Sequence, residues 1–505
     1  MSTIRIRHAC DGFFAKMDRS DLALGYGDVR LRTDHSKVLP KDVDLRTMIS
    51  RNVSAYIPVL TSPMDTVTEG DMAVRAAEEG GMGVIHKNLS PEEQAKAVDM
   101  VKHKIGGFVH DPVCIRQGQT VKEVLEFVAR KKFGFLSFPV LNDNGSVVGI
   151  VTSSDFEFCM SENKKISNIM TSSIISASSR IGVKGAHKKM MSNHIKILPV
   201  FDRDRKLLGI YTLADVKRNL KGNSLNYNLA PDGTLRVGAA IGVGEDAQYR
   251  MQLLAKAKVD VVVIDTAHGD SAGVIAMVKW CKKNYPNIDV IAGNISEPDS
   301  AKRLALAGVD GIRVGQGPGS ICTTRIIAGV GCPQVTAIYN CSKILRGSGV
   351  TVCADGGIEY SGDITIAIGA GADTVMLGKL LAGTTESPGD IIRLPGQKPK
   401  KEYRGMGSLG AMKDNQASRE RYGQAGNSAD KLVPEGIETE VDFKGPLGDV
   451  LHQLLGGLRS GMGYCGAHTI YELQKKANFR RITQAGRIES HPHVGSFKSA
   501  PNYAG

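Results

Sequence analysis

Three stretches of this chain share one grammar: AKAKVDVVVIDTAHG (residues 255–269), LALAGVDGIRVGQGPGS (304–320) and AIGAGADTVMLGKLLAG (367–383). Each leaves a helical pattern through a small-residue turn, enters a short apolar strand, and ends in a glycine-bearing loop. AEEGGMGVIH (77–86) repeats the pattern, and Asp260, Asp310 and Asp373 hold equivalent places just ahead of their strands. Runs such as VVVID and TVMLG are apolar throughout, as parallel strands buried on both faces should be. Their alternation with helices predicts βα units. Counted over 44–86 and 235–480, the units suit an α/β fold, a (β/α)8 TIM barrel interrupted once. Barrels of this kind carry their chemistry in the loops that follow the strands.

The 505 residues suggest two to four domains, or one barrel-sized domain carrying an insertion. A hydrophobic content of 42% with 23% charged residues argues against wholesale disorder. No apolar run reaches the roughly 18 residues of a membrane span. Met1 to Asp11 lacks the apolar core of a secretory signal, and the C-terminus lacks a targeting tripeptide, so a cytoplasmic chain is expected. Nine dispersed cysteines without a C-x-x-C pair suit a reducing compartment and exclude a zinc ribbon. The 64 Lys+Arg against 52 Asp+Glu leave 64 − 52 = +12, which suits anionic substrates. Aromatics make up only 5% and do not interleave with the basic clusters, which argues against sequence-specific nucleic-acid binding.

The interruption carries its own repeat. Residues 139–155 (PVLNDNGSVVGIVTSSD) and 199–215 (PVFDRDRKLLGIYTLAD) match at an offset of sixty, pairing Pro139 with Pro199, Gly149 with Gly209, Thr152 with Thr212 and Asp155 with Asp215. Each copy reads as strand, turn, strand and capped helix, preceded by an amphipathic helix at Val121–Arg130 or Val183–Met191. Residues 108–222 resemble a tandem pair of CBS domains (a Bateman module), split at about 108–166 and 167–222. The resemblance implies adenine or guanine nucleotides held at Thr152, Asp155, Thr212 and Asp215. The plainer alternative is that both aspartates cap their helices.

Three loops of the barrel frame carry candidate chemistry. In Gly315-Gln-Gly-Pro-Gly-Ser-Ile-Cys-Thr-Thr-Arg325, the glycines let backbone groups approach a ligand, and Cys322 stands three residues from Arg325. Electropositive surroundings of that kind activate a thiol nucleophile. Taken alone, Cys322 reads as a buried structural thiol; its place at the active face of a barrel favours the nucleophile. Ala354-Asp-Gly-Gly-Ile358 can hold a ribose diol on its carboxylate and phosphate on its amides, or make a tight turn. Met376-Leu-Gly-Lys379 stands where barrels build phosphate sites. Neither a G-x-G-x-x-G fingerprint nor a Walker A sequence is present, which disfavours Rossmann and P-loop enzymes.

Together, GPGSICTTR (317–325), SPMDTV (62–67), DTAHG (265–269), AGN (292–294), ADGGI (354–358), YRGMGSLGAM (403–412) and KLVPEGIE (431–438) resemble the inosine-5′-monophosphate dehydrogenase family, over nearly the whole chain. The inserted module has that family's position. The resemblance implies an oxidoreductase of purine and GMP biosynthesis, acting at the committed step of guanine nucleotide synthesis. Cys322 would attack carbon 2 of IMP, hydride would pass to NAD, and a covalent thioimidate would remain. A mobile flap at about 395–440 would then close, and water would release XMP. The general base would be Arg421 with Tyr422, and Thr324 would assist hydrolysis. Outside that resemblance, Arg421 reads as a solvated cation.

The resemblance further implies substrate contacts at Ser320, Asp355, Gly357, Gly378, Tyr403, Gly405, Met406, Gly407 and Glu435, supported by Ser62, Met64, Asn294 and Arg313. Asp265 falls on the cofactor side. Carbonyls of Gly317, Gly319 and Cys322 would hold a potassium ion, completed by Glu489, Ser490 and His491 of a neighbouring subunit. That arrangement implies a homotetramer at least, with an octamer as the alternative. Two positions depart from the family pattern: Lys379 replaces a serine after Gly378 and could grip the substrate phosphate, and Gly423 follows Arg421-Tyr422 where phenylalanine is usual. The rivals are GMP reductase, which deaminates GMP with NADPH, and a catalytically silent nucleotide sensor.

Overall fold

Eight parallel strands close into a barrel in chain order: β1 (Val59–Thr61), β2 (Met82–Ile85), β3 (Gly238–Ile241), β4 (Val261–Asp265), β5 (Asp289–Ile295), β6 (Gly311–Val314), β7 (Thr351–Asp355) and β8 (Thr374–Leu377). Strand β8 returns to β1, pairing Met376 with Leu60. Every residue of β3 to β6 is buried, which explains their unbroken apolar character. Helices Gly70–Glu78, Glu245–Lys256, Ala272–Asn284, Pro298–Ala307, Gln334–Leu345 and Ser361–Gly369 follow β1 and β3 to β7. Their ends obey local chemistry. Pro298 opens its helix at the first position, and Gly308, at φ +101°, ends it. The computed structural model describes residues 7–104, 108–110, 112–131, 136–178, 181–202, 206–213, 216–217 and 226–492. Among them, no helix is long and apolar enough to cross a membrane.

The recurring aspartates have a shared physical task. Asp260, Asp310 and Asp373 each accept, through Oδ2, an N–H at the start of the preceding strand: Val237, just before β3, at 2.8 Å, and Val290 and Val352, the second residues of β5 and β7, at 2.9 Å and 2.8 Å. Each returns its own N–H to the carbonyl of that same residue. The carboxylates are thus clamps that fix strand stagger at the N-terminal end of the barrel. At the same end an antiparallel hairpin, Thr47–Ser50 with Val53–Ala55, closes the barrel floor. Ile49, Val53 and Ala55 pack among Leu60, Met82, Val84, Val261 and Ile291. The hairpin is pinned on Asp289, which accepts from Ser50 Oγ at 2.6 Å and from Asn52 N and Nδ2 at 2.8 Å.

The barrel belongs to one compact unit, Met1–Lys102 with Asn226–Ala230 and Leu235–Gly505; a second comprises His103–Leu225 and Pro231–Thr234. Within the second, the sixty-residue repeat is reproduced in register and even in irregularity. Pro139 pairs with Ile150 and Pro199 with Ile210, and a bulge follows Val140 in one copy and Val200 in the other. Phe138 and Val140 enter one core, Leu198 and Val200 the other. Helices Val121–Lys131 and Val183–Ser192 stand where their amphipathic patterns predict them.

Asp310 also holds Lys282 Nζ at 2.7 Å and Arg51 Nε at 3.3 Å. Asp310→Ala leaves a buried N–H and a half-buried ammonium without their acceptor. It is expected to cost about 2–4 kcal/mol of barrel stability, read as a lowered Tm. An unchanged Tm would show the clamp to be dispensable.

Candidate active site

The loops after the barrel strands converge on one cavity, and the sequence candidates meet there. Its wall includes Cys322 and Thr324 from the loop after β6, Asp355 and Gly357 after β7, and Gly378 and Lys379 after β8. Ser62 and Met64 enter after β1, and Asn294 and Arg313 rise from β5 and β6. Gly317, Gly319 and Ser320 line it from the cysteine loop; Tyr403, Gly405, Met406, Arg421, Tyr422 and Glu435 line it from the excursion after β8.

That excursion is built on a two-stranded ribbon, Lys400–Arg404 against Glu438–Asp442, with Tyr403 opposite Thr439. Between the strands lie helices Leu409–Asp414 and Gln416–Arg421. Ser408 Oγ caps the first, accepting from Ala411 N at 3.2 Å, and Asn415 Oδ1 caps the second, accepting from Ala417 N at 2.8 Å. The cysteine loop is tied to the ribbon's far end. Thr323 N donates to Glu435 O at 3.0 Å, and Ile437 N donates to Ile321 O at 2.9 Å. The Arg325 guanidinium donates to the carbonyls of Gln316 at 3.0 Å and Cys332 at 2.5 Å, stapling the loop.

Cys322 Sγ lies 3.2 Å from Thr324 Oγ1, which donates to Glu435 Oε2 at 2.7 Å. This chain of three groups offers a proton path away from the sulfur. Beneath it, Asn294 organises the floor. Its Nδ2 donates to Asp355 Oδ2 and to Gly315 O, both at 2.7 Å, and its Oδ1 accepts from Arg313 Nε at 2.7 Å. Arg313 Nε also lies 3.3 Å from Asp355 Oδ2. Asp265, at the end of β4, is buried and forms ion pairs with both Arg313 and Arg421. The flap arginine is therefore anchored inside the barrel mouth, and its guanidinium carbon stands 6.0 Å from the Tyr422 ring centroid.

Close approach fixes several glycines. A Cβ on Gly378 would lie 3.0 Å from Tyr403 Oη, and one on Gly407 would lie 2.5 Å from Tyr422 Cζ. Gly407 thus supports the Tyr422 ring and does not stand on the cavity wall. Burial raises the Tyr403 hydroxyl well above its ordinary range, although it hydrogen-bonds the Ser320 side chain. Burial likewise raises Tyr422, and the Arg421 charge opposes that shift.

The remaining candidates lie elsewhere. Glu489 ends helix Gln484–Glu489, Ser490 Oγ donates to Gly486 O at 2.8 Å, and His491 Nδ1 lies 3.0 Å from Arg487 O. His491 borders a second cavity with Tyr26, Pro318 and Gly357. In the second unit, Asp155 Oδ2 accepts from Thr152 N at 2.7 Å and Thr152 Oγ1 at 2.8 Å, closing the first turn of Ser153–Glu157. Thr212 ends strand Leu207–Thr212. Asp215 lies outside the described residues.

Two features were not singled out by residue in the sequence, although Asp65 lies within SPMDTV. Asp65 accepts from Arg404 Nη2 at 2.9 Å and Nε at 3.3 Å, tying the ribbon to the loop after β1. Lys87, two residues past β2, is 7% exposed, and its Nζ lies 3.3 Å from where a Cβ on Gly242 would stand. Burial, reinforced by the Arg421 and Arg250 charges, pushes its ammonium down to about 7.

Comparison with known proteins gives a consistent result. Residues 23–493 match the model of the IMP dehydrogenase / GMP reductase domain. An inosine-5′-monophosphate dehydrogenase of Aquifex aeolicus is 46% identical over 95% of this chain and 97% of its own length. That of Bacillus subtilis is 44% identical over 95% of this chain and 97% of its own. Among solved structures, a Cys-to-Ala variant of GMP reductase from Trypanosoma brucei, in complex with guanosine 5′-monophosphate, superposes with a TM-score of 0.81. It is 39% identical and covers 95% of this chain and 100% of its own.

Lys87 gives the site a pH signature. The folded chain releases this proton near pH 7, whereas an unfolded lysine holds it to about 10.4. The unfolded state then binds more protons across that window, so the Lys87 contribution to stability rises with pH. Lys87→Met is expected to flatten the gain in Tm between about pH 7 and 9 relative to the parent chain. Identical pH profiles would place the ammonium in water.

Proposed function

The chain belongs to the IMP dehydrogenase / GMP reductase family and is an oxidoreductase, and from that premise we propose that it oxidises IMP to XMP with NAD. The observation that carries this reading is the shared cavity of Cys322 and the flap pair Arg421-Tyr422. Cys322 Sγ adds to carbon 2 of the purine, hydride leaves that carbon, and the thioimidate remains. NAD, when bound, supplies the hydride acceptor. Asp265 can serve the cofactor side only once Arg421 is withdrawn, because the two are paired in the docked flap. Re-docking returns Arg421 and Tyr422 to orient and deprotonate water, which displaces Sγ and yields XMP. Thr324 and Glu435 carry protons between the sulfur and the carboxylate.

The substrate assignments follow the walls. Asp355, held at one oxygen by Asn294, suits the ribose hydroxyls. Gly357, at φ +77°, and Gly378 bring backbone amides close enough for phosphate, with Lys379 beside them. Ser62, Met64, Ser320, Tyr403, Gly405 and Met406 complete the purine and phosphate walls. The carbonyls of Gly317, Gly319 and Cys322 form a neutral oxygen set of the kind a weakly hydrated monovalent cation such as potassium takes. Glu489, Ser490 and His491, at and just past the end of Gln484–Glu489, would supply the additional oxygen donors. Residues 489–491 complete that set from a neighbouring subunit in a homotetramer or octamer. We assign the insert as a tandem CBS module binding adenine or guanine nucleotides; its two copies of one strand register support that reading.

GMP reduction is the second reading, favoured by the fold match to the Trypanosoma brucei GMP reductase. Two assays with potassium separate them: IMP with NAD is expected to give rising NADH and XMP, and GMP with NADPH to stay flat. The reverse pattern would establish the reductase. Cys322→Ala is expected to abolish turnover and covalent trapping of IMP. Arg421→Ala is expected to preserve the NADH burst while slowing hydrolysis by about two orders of magnitude or more, the usual scale for a general base. Equal loss of both steps would overturn the base assignment.

A further inference from the structure

We propose that Asn88 is a positioning residue that latches the flap in its docked state and so governs the hydrolytic half of the reaction; the inference rests on the function proposed above. Asn88 stands on the turn after β2, outside every motif quoted above. All of its polar groups are engaged, and most of them on the flap. Its carbonyl accepts from Asn415 Nδ2, and its Oδ1 accepts from Ser418 Oγ at 3.3 Å. Its Nδ2 donates to Asp65 Oδ2 at 2.9 Å and meets Met406 Sδ at 3.5 Å. Its N–H donates to His86 Nδ1 at 3.1 Å, so the other ring nitrogen carries the proton that faces Glu69 Oε1 at 3.2 Å.

The placement of these bonds gives Asn88 leverage. Asn415 is the cap of helix Gln416–Arg421, and Arg421 is that helix's last residue. One residue thus grips the cap and, through Ser418, the middle of the short helix whose far end carries the proposed base. Asp65, the other partner of Asn88, holds Arg404, the last residue of the first ribbon strand, opposite Glu438. The network Arg404–Asp65–Asn88–Ser418 therefore joins the end of the ribbon, where the two helices leave it, to the helix that carries Arg421. A turn asparagine with no such role would affect both half-reactions alike. A latch biases only the step that requires the flap docked.

The test uses Asn88→Ala, Ser418→Ala and the double variant in the full-length chain. Rapid mixing with IMP and NAD reads the NADH burst, steady-state turnover reads hydrolysis, and acid quenching reads the fraction of enzyme held as covalent adduct. Asn88→Ala is expected to keep the burst, slow turnover on the order of tenfold, and raise the trapped fraction. Ser418→Ala should move the same quantities less, and the double variant should fall short of the product of the two. Hydrogen exchange over residues 405–437 reads docking without turnover, and Asn88→Ala should speed it while the barrel strands keep theirs. Burst and turnover falling together, or unaltered exchange in the flap, would overturn the latch. A parent chain that shows flap protection sensitive to Asn88 but makes no NADH would refute the proposed reaction and leave the latch standing.

Discussion

Asp265 is one buried carboxylate shared by two guanidiniums, and the rest of the site depends on how that imbalance is resolved. Arg313 cannot be left unpaired at its depth in the barrel, where stranding a charge costs several kcal/mol. Asn294 and Asp355 therefore take a second share of it. With Arg313 supported from two sides, Asp265 can exchange its other partner without leaving a buried charge bare. Arg421 is the more exposed of the two arginines and belongs to a segment joined to the barrel through loops. Of the two arginines Arg313 is the more deeply held, and under the proposed two-stage reaction Arg421 is the cation that would be withdrawn.

Rigidity and freedom are separated along the same line. The cysteine loop is stapled by Arg325 and tied across Thr323 and Ile321 to the ribbon's end. Asp355, at the end of β7, is held from below by Asn294. The segment between the ribbon strands is built differently, from two helices that are short and individually capped. Helices of this length have little intrinsic stability, so their order depends on what they dock against.

Much of the fold was legible because burial on both faces leaves a plain mark. The apolar runs at 261–265 and 374–377 are barrel strands, and the aspartate ahead of each proved to be a strand clamp. The insert's repeat was equally plain, since a repeated register demands repeated prolines, glycines and apolar positions. The glycine loops and the cysteine announced the active face, and the structure brings their residues to one cavity. What stayed hidden depends on distances across the chain. The barrel-floor hairpin at 47–55, the stapling of the cysteine loop by Arg325, and the service of Gly407 to the Tyr422 ring have no local signature. Lys87 is an ordinary lysine in sequence; only tertiary packing buries it beside Arg421.

Closure of the barrel through β8 and β1 has a consequence for how the chain is made. Residues 59–61 leave the ribosome long before residues 374–377, their hydrogen-bonded neighbours. At about 5–20 residues per second the wait is roughly fifteen to sixty seconds. During it, β1 and β2 present an unpaired edge and apolar faces, while the intervening insert carries two small cores that need nothing from downstream. The interruption of the barrel is thus also a matter of timing: the part that can fold first is encoded where an unfinished sheet is most vulnerable to the wrong partner.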